Sequence, residues 1–137
     1  MSTLNVGTIK SLGSSVPVFQ NSSGVEKGQL AKAWVNFDGT HGTSPYTIAN
    51  GGIRDSFNVS SVTDVTTGRY TVNLTTAMSN SNYCVISSGH LFETTVTGNA
   101  REVGANNLTT SNYMLNVTYN GSTNQDAANV FSAVFGD

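Results

Sequence analysis

Eight carboxylates, two histidines and one cysteine are the side chains that could make or break bonds in these 137 residues. The acids are Glu26, Asp38, Asp55, Asp64, Glu93, Glu102, Asp126 and Asp137. Saccharide cleavage needs two carboxylates facing one another across a bond, and no pair stands out. Asp38 and Asp64 adjoin turn signals, where Asp caps its own backbone, and Asp55 falls near a strand start beside Arg54. His90-Leu91-Phe92-Glu93 sets a His and a Glu three apart, a helical spacing in a sequence that reads as strand and loop. With His41 far away and no His-x-His, no metal site is expected. Cys84 lies in the apolar run Tyr83-Cys84-Val85-Ile86 without a neighbouring His, so it is expected to be a small buried hydrophobe rather than a nucleophile. Neither enzymatic activity nor a cofactor is expected. His90, Phe92, Glu93 and Arg101 form a different kit, aromatic area beside charged hydrogen-bonding groups, which suits the face and edge of a sugar. The connection His41–Tyr46 is the second candidate for recognition.

Charged residues are 10% of the chain and the formal net charge is −2. Six cations spread over the whole length leave no positive groove for nucleic acid and no polybasic membrane patch. No apolar run is long enough to span a bilayer, and Met1-Ser2-Thr3-Leu4 opens no secretory signal. Six Asn-x-Ser/Thr sequons are close to what chance gives in a chain this rich in Asn, Ser and Thr, so glycosylation is not expected.

Ser, Thr and Asn make up 51 residues, and with 14 Gly they describe short strands joined by polar turns. Period-two alternation recurs throughout. Ala31, Ala33, Val35 and Phe37 share one face, as do Ile53, Phe57 and Val59, then Tyr70, Val72 and Leu74, then Tyr113, Leu115, Val117 and Tyr119. Asp38-Gly39, Asn50-Gly51, Thr67-Gly68, Gly98-Asn99 and Asn120-Gly121 punctuate the strands. In Asp64–Arg69, Gly68 suits the left-handed position of a bulged hairpin turn. Seven or eight strands between Leu30 and Asp137 predict an all-β antiparallel sandwich or jelly-roll.

Residues 53–59, 69–75 and 112–119 read as strands with one wet face. Residues 33–37, 83–86 and 129–135 are apolar on both faces, and the second face needs a cover, most simply another subunit. Trp34, Ile86, Phe131 and Phe135 are the expected contact residues. Residues 1–29 carry a few apolar side chains spaced by Ser, Gly and Asn, too few to offset the entropy of ordering them alone. They are expected to be an extended arm, disordered or ordered between chains, ahead of a module at 30–137.

The run Leu30-Ala31-Lys32-Ala33-Trp34-Val35-Asn36-Phe37-Asp38-Gly39-Thr40 resembles the opening of the C-terminal module of many bacteriophage tail fibres. The resemblance continues through Ile53–Asp64, Gly68–Met78 and Asn82-Tyr83, and closes at Phe131–Gly136. Pro17–Gly24 is similar to the linker that precedes this module in fibres of phages infecting marine cyanobacteria. The resemblance implies a homotrimeric fibre tip on the virion, with the arm docked on other tail proteins and a host surface glycan or protein as receptor. Residues 88–128 match nothing in that pattern, as a partner-specific surface would. Two other roles fit the sequence: a purely structural virion protein with no receptor, and a free-standing lectin.

Overall fold

The structure, a computed structural model, describes residues 8–9, 19–91 and 100–136. The chain falls into two compact units, residues 1–30 and 31–137. In the first, β1 (Phe19–Gln20) and β2 (Glu26–Gly28) pair antiparallel. Their turn has a local cause. The Asn21 side-chain oxygen accepts from the Ser23 and Val25 amides at 3.1 and 2.9 Å, and Gly24 takes φ +75°. The arm thus carries a hairpin of its own, built by Asn21-Ser22-Ser23-Gly24, where the sequence predicts order only between chains. The other apolar arm residues, Ile9 apart, lie outside the described residues.

The second unit is all-β, with no helix among the described residues. Its strands are β3 (Ala33–Phe37), β4 (Ile53–Phe57), β5 (Val59–Thr66), β6 (Arg69–Leu74), β7 (Cys84–His90), β8 (Ala100–Asn106), β9 (Asn112–Tyr119), β10 (Thr123–Asn124) and β11 (Asn129–Phe135). Eight of them form one antiparallel sheet in the order β4-β3-β11-β7-β8-β9-β6-β5, and β10 adds to β9. The strand content and the antiparallel class agree with the sequence. The sheet is continuous and nearly closed.

Two corners divide it into facing halves. At one, β7 and β8 share only the pairs Gly89↔Arg101 and His90↔Ala100. At the other, β4 runs into β5 through Asn58, at φ +56°. Most residues resist that conformation, but Asn tolerates it. Its side chain also secures the corner. The amide donates to the carbonyls of Lys32 and Thr76, both at 3.1 Å, and its oxygen accepts from the Thr76 amide at 2.7 Å. Residues 53–59, expected as one strand, are therefore two, one in each half.

The core fills the space between the halves. Ala33, Val35, Phe37, Ile53, Val62, Tyr70, Val72, Tyr113, Leu115, Val117, Val130 and Val134 are all buried. Phe37 packs edge-on against Tyr70, with ring centroids 5.1 Å apart. Each large side chain of this kind contributes about 1.5–3 kcal/mol by leaving water. The Tyr113 and Ser132 hydroxyls meet across the same gap at 2.7 Å. Between β5 and β6 the pairing shifts by one residue, and Gly68 takes φ +67°, the bulged turn expected from the sequence.

A second bulge overturns one expected face. Asn36 pairs with Asp55 but Phe37 pairs with Ile53, so Arg54 is the extra residue on β4. Ile53 points into the core, whereas beyond the bulge Phe57 points out and is 51% exposed.

Candidate functional site

The outer face of β4-β3-β11-β7 gathers the side chains expected at a subunit contact. Register places Phe57, Trp34, Ala133 and Ile86 in one row across four strands. The next row is Asp55, Asn36, Phe131 and Ser88, and Phe135 pairs with Cys84 at the far end. Ile86 is 61% exposed, and Trp34 and Phe131 stand at the surface with it. Ala133, small between Trp34 and Ile86, leaves the floor of a groove of about 380 Å³ that Phe131 closes at one end. Alternation along β11 produces this face, because Val130, Ser132 and Val134 turn inward and leave Phe131, Ala133 and Phe135 outward. Trp34, Ile86, Phe131 and Phe135 therefore lie on one surface, and Phe57 extends it. Phe57 was missed because no sequence signal marks the bulge at Arg54.

Cys84 is a correction. It is exposed, since the inward position of that pair belongs to Val85, which meets Val134 in the core.

Of the four side chains expected at a receptor site, Phe92 and Glu93 lie outside the described residues. His90 ends β7 opposite Ala100. Arg101 is buried in β8, with 8% of its surface exposed. Its stem lies beside Gly89, whose missing side chain makes room, since a Cβ there would sit 3.6 Å from the Arg101 Cβ. The guanidinium stacks on the Tyr119 ring, 4.7 Å from the centroid. Its Nη1 donates to the Ala100 carbonyl at 3.1 Å, and its Nε is buried without an acceptor. Glu102, next in sequence, points to the other face, where its carboxylate accepts from the Thr118 hydroxyl at 3.4 Å. Tyr119 continues the inward line of Tyr113, Leu115 and Val117 but lies at the end of β9, half-exposed over the mouth of the sheet.

The remaining titratable groups knit the loops together. Asp126 accepts from the Gly68 amide and the Tyr70 hydroxyl, both at 2.7 Å. Asp64 accepts from the Tyr46 hydroxyl at 3.1 Å rather than capping its own turn. Asp38 does cap its turn, taking the Thr40 amide and hydroxyl at 2.8 and 2.6 Å, and lies 3.9 Å from Arg54. Burial first, then the bonded carboxylates, push the Tyr70 and Tyr46 hydroxyls far above the usual phenol range. His41 packs edge-on against Tyr46 with its Nε2 buried. Tyr46 itself is buried and bridged to Val62, whereas residues 42–45 of the connection are exposed. Among the described residues no group of three His, Cys, Asp or Glu side chains is placed to hold a metal ion. Nor is any helix long and apolar enough to cross a membrane.

No protein-family model matches the sequence, and no curated protein is similar to it. Among solved structures, the fold is similar to that of the phiAB6 tailspike, determined in complex with three-repeated oligosaccharides of Acinetobacter baumannii surface polysaccharide. The match has a TM-score of 0.51 and 13% identity, and it covers 96% of this chain and 30% of the tailspike chain. This chain thus spans less than a third of that protein's length, and what the two share is an all-β fold.

Proposed function

We propose that this protein is a bacteriophage tail attachment protein that binds a host surface glycan without cleaving it. The observation that carries the reading is the tail-protein-like fold, reached independently of the tail-fibre resemblance in Leu30–Thr40 and Gly68–Met78. The tailspike it is similar to was solved with surface oligosaccharide bound. Two facing halves around one core support a jelly-roll-like sandwich as the finer description. Asp38, Asp64 and Asp126 are engaged in turn and tyrosine hydrogen bonds, which favours binding over cleavage.

In this reading the outer face bearing Trp34, Phe57, Ile86 and Phe131 is the subunit contact of a homotrimer, and residues 1–29 dock on other virion tail proteins. Both edges of the sheet are protected. Arg54 and Asp55 sit on β4, and Tyr46 bridges β5 at Val62. Strand addition is thereby discouraged, which leaves the apolar face for association. Binding of the fluorescently labelled protein to intact host cells, against a non-host strain, tests the function. Selective, saturable labelling is expected. Equal labelling of both strains refutes attachment and leaves the structural virion role.

A further inference from the structure

We propose that Arg101 is the anion-recognition residue of this protein, and that the group it takes is the carboxylate of an acidic sugar. The inference deepens the attachment reading and rests on it for the word sugar. It starts from an imbalance. Arg101 is nine-tenths buried, yet its bonds among the described residues are one to the Ala100 carbonyl and a stacking contact with Tyr119. Neither supplies negative charge. A buried cation without a counter-anion is costly, and replacing a buried charge by an apolar side chain of similar volume is commonly neutral or stabilising. Gly89 leaves room beside its stem. Stability does not explain an arginine here, but a ligand that arrives with the missing charge does.

The geometry suits a carboxylate. The Nε is buried, and beyond it the guanidinium ends in Nη1 and Nη2. The Nη1–Nη2 edge is the end of the guanidinium fork that binds a carboxylate through two parallel hydrogen bonds. Tyr119 fixes the plane of that fork, and the residue is 45% exposed, so aromatic surface adjoins the charge. An anion beside an apolar patch is the outline of a uronate-type sugar, whose C–H face stacks on the ring while its carboxylate meets the arginine. A bare phosphate would use the charge and leave the ring unused.

The test uses the full-length protein, isotopically labelled, at fixed ionic strength. Sodium glucuronate, glucose and inorganic phosphate are titrated in turn while the Arg101 Nε–H resonance is followed. Glucuronate is expected to shift that signal saturably, at least tenfold more tightly than phosphate, and glucose to leave it in place. Arg101→Met should abolish the response while keeping or raising the melting temperature, because it fills the same space and removes an unpaired charge. Equal affinity for phosphate and glucuronate would reduce the site to a simple anion site and overturn the sugar assignment. No shift with either anion, or a melting temperature lowered by several degrees in Arg101→Met, would make the arginine structural and overturn the proposal. Host-cell labelling separates this outcome from failure of the attachment reading. A protein that labels host cells but ignores anions has lost only this inference.

Discussion

Raising the pH should unfold this protein through its tyrosines. Tyr113 is wholly buried, and desolvation pushes its hydroxyl up to about 12, a rise only partly offset by the hydrogen bond to Ser132. Tyr70 and Tyr46 are raised further, by burial and then by the carboxylates of Asp126 and Asp64. In each case the fold holds the neutral phenol, so the unfolded chain loses its protons first. Stability is therefore independent of these groups below about pH 10 and falls as the pH climbs toward 12. Each tyrosine kept neutral removes about 1.4 kcal/mol per pH unit in that window. Tyr113 alone costs about 2 kcal/mol by pH 12, and the three together about 7, which rivals the 5–15 kcal/mol that holds an ordinary domain. Tyrosinate absorbance and far-ultraviolet circular dichroism, read on the same samples, should change in one coincident step. In Tyr113→Phe the pH dependence should be shallower by about one proton. Tyrosines that all titrate near pH 10 while the β signal persists would refute the burial argument.

The other expected outcomes concern the outer face, the corner and the core. Ile86→Glu places a charge where the side chain already meets water, so it should change monomer stability by less than about 1 kcal/mol. If the proposed homotrimer forms through this face, the same substitution should reduce the light-scattering mass from three times 14.4 kDa to one, and an unchanged trimer would move the interface off this face. Asn58→Ala removes three side-chain hydrogen bonds and puts an unfavoured residue at φ +56°, which should lower stability by about 2–3 kcal/mol in urea titration. Gly39→Ala would set a Cβ 2.6 Å from the Tyr70 hydroxyl and 2.7 Å from the Ala127 carbonyl, and should cost about 2 kcal/mol or more with a broadened aromatic spectrum.

Alternation carried the sequence reading furthest where strands are regular. Ala33-Trp34-Val35-Asn36-Phe37 and Val130–Phe135 keep strict period two, so the inward and outward sets could be assigned without coordinates, and the apolar outer face followed. The assignment failed at single-residue irregularities. The extra residue at Arg54 reverses the facing of Phe57, and Asn58 turns a corner that composition does not announce. The first is set by the register of the neighbouring strand, and the second by bonds from Asn58 to residues distant in sequence, Lys32 and Thr76. Strand β8 was missed for another reason. Ala100-Arg101-Glu102-Val103-Gly104-Ala105-Asn106 has one β-branched residue and three small ones, and it forms because β9 offers it a five-residue ladder. Arg101 was singled out by its chemistry, but its burial depends on that unseen strand.

An arginine that meets no carboxylate among the described residues and an apolar outer face are two costs of different kinds, and attachment by a trimer would account for both. A solvent-exposed face carrying Trp34, Phe57, Ile86 and Phe131 is an aggregation hazard for a monomer and an interface for an oligomer. A cation held without its counter-charge weakens the free protein, yet it is prepaid desolvation for a ligand that brings the anion. One guanidinium and one tyrosine ring make a small contact, enough for weak binding at a single site. Three copies on one tip change the arithmetic. Once one arm holds a repetitive surface polysaccharide, the next site meets its ligand at a high effective concentration, and avidity can exceed the single-site affinity by about 10²–10⁴. It follows that Ile86→Glu, which leaves Arg101 and Tyr119 untouched, should bind free glucuronate as the wild type does and yet release host cells far faster. Loss of free glucuronate binding in Ile86→Glu would show that the anion site depends on the assembled face, and retention on cells equal to the wild type would show that avidity plays no part.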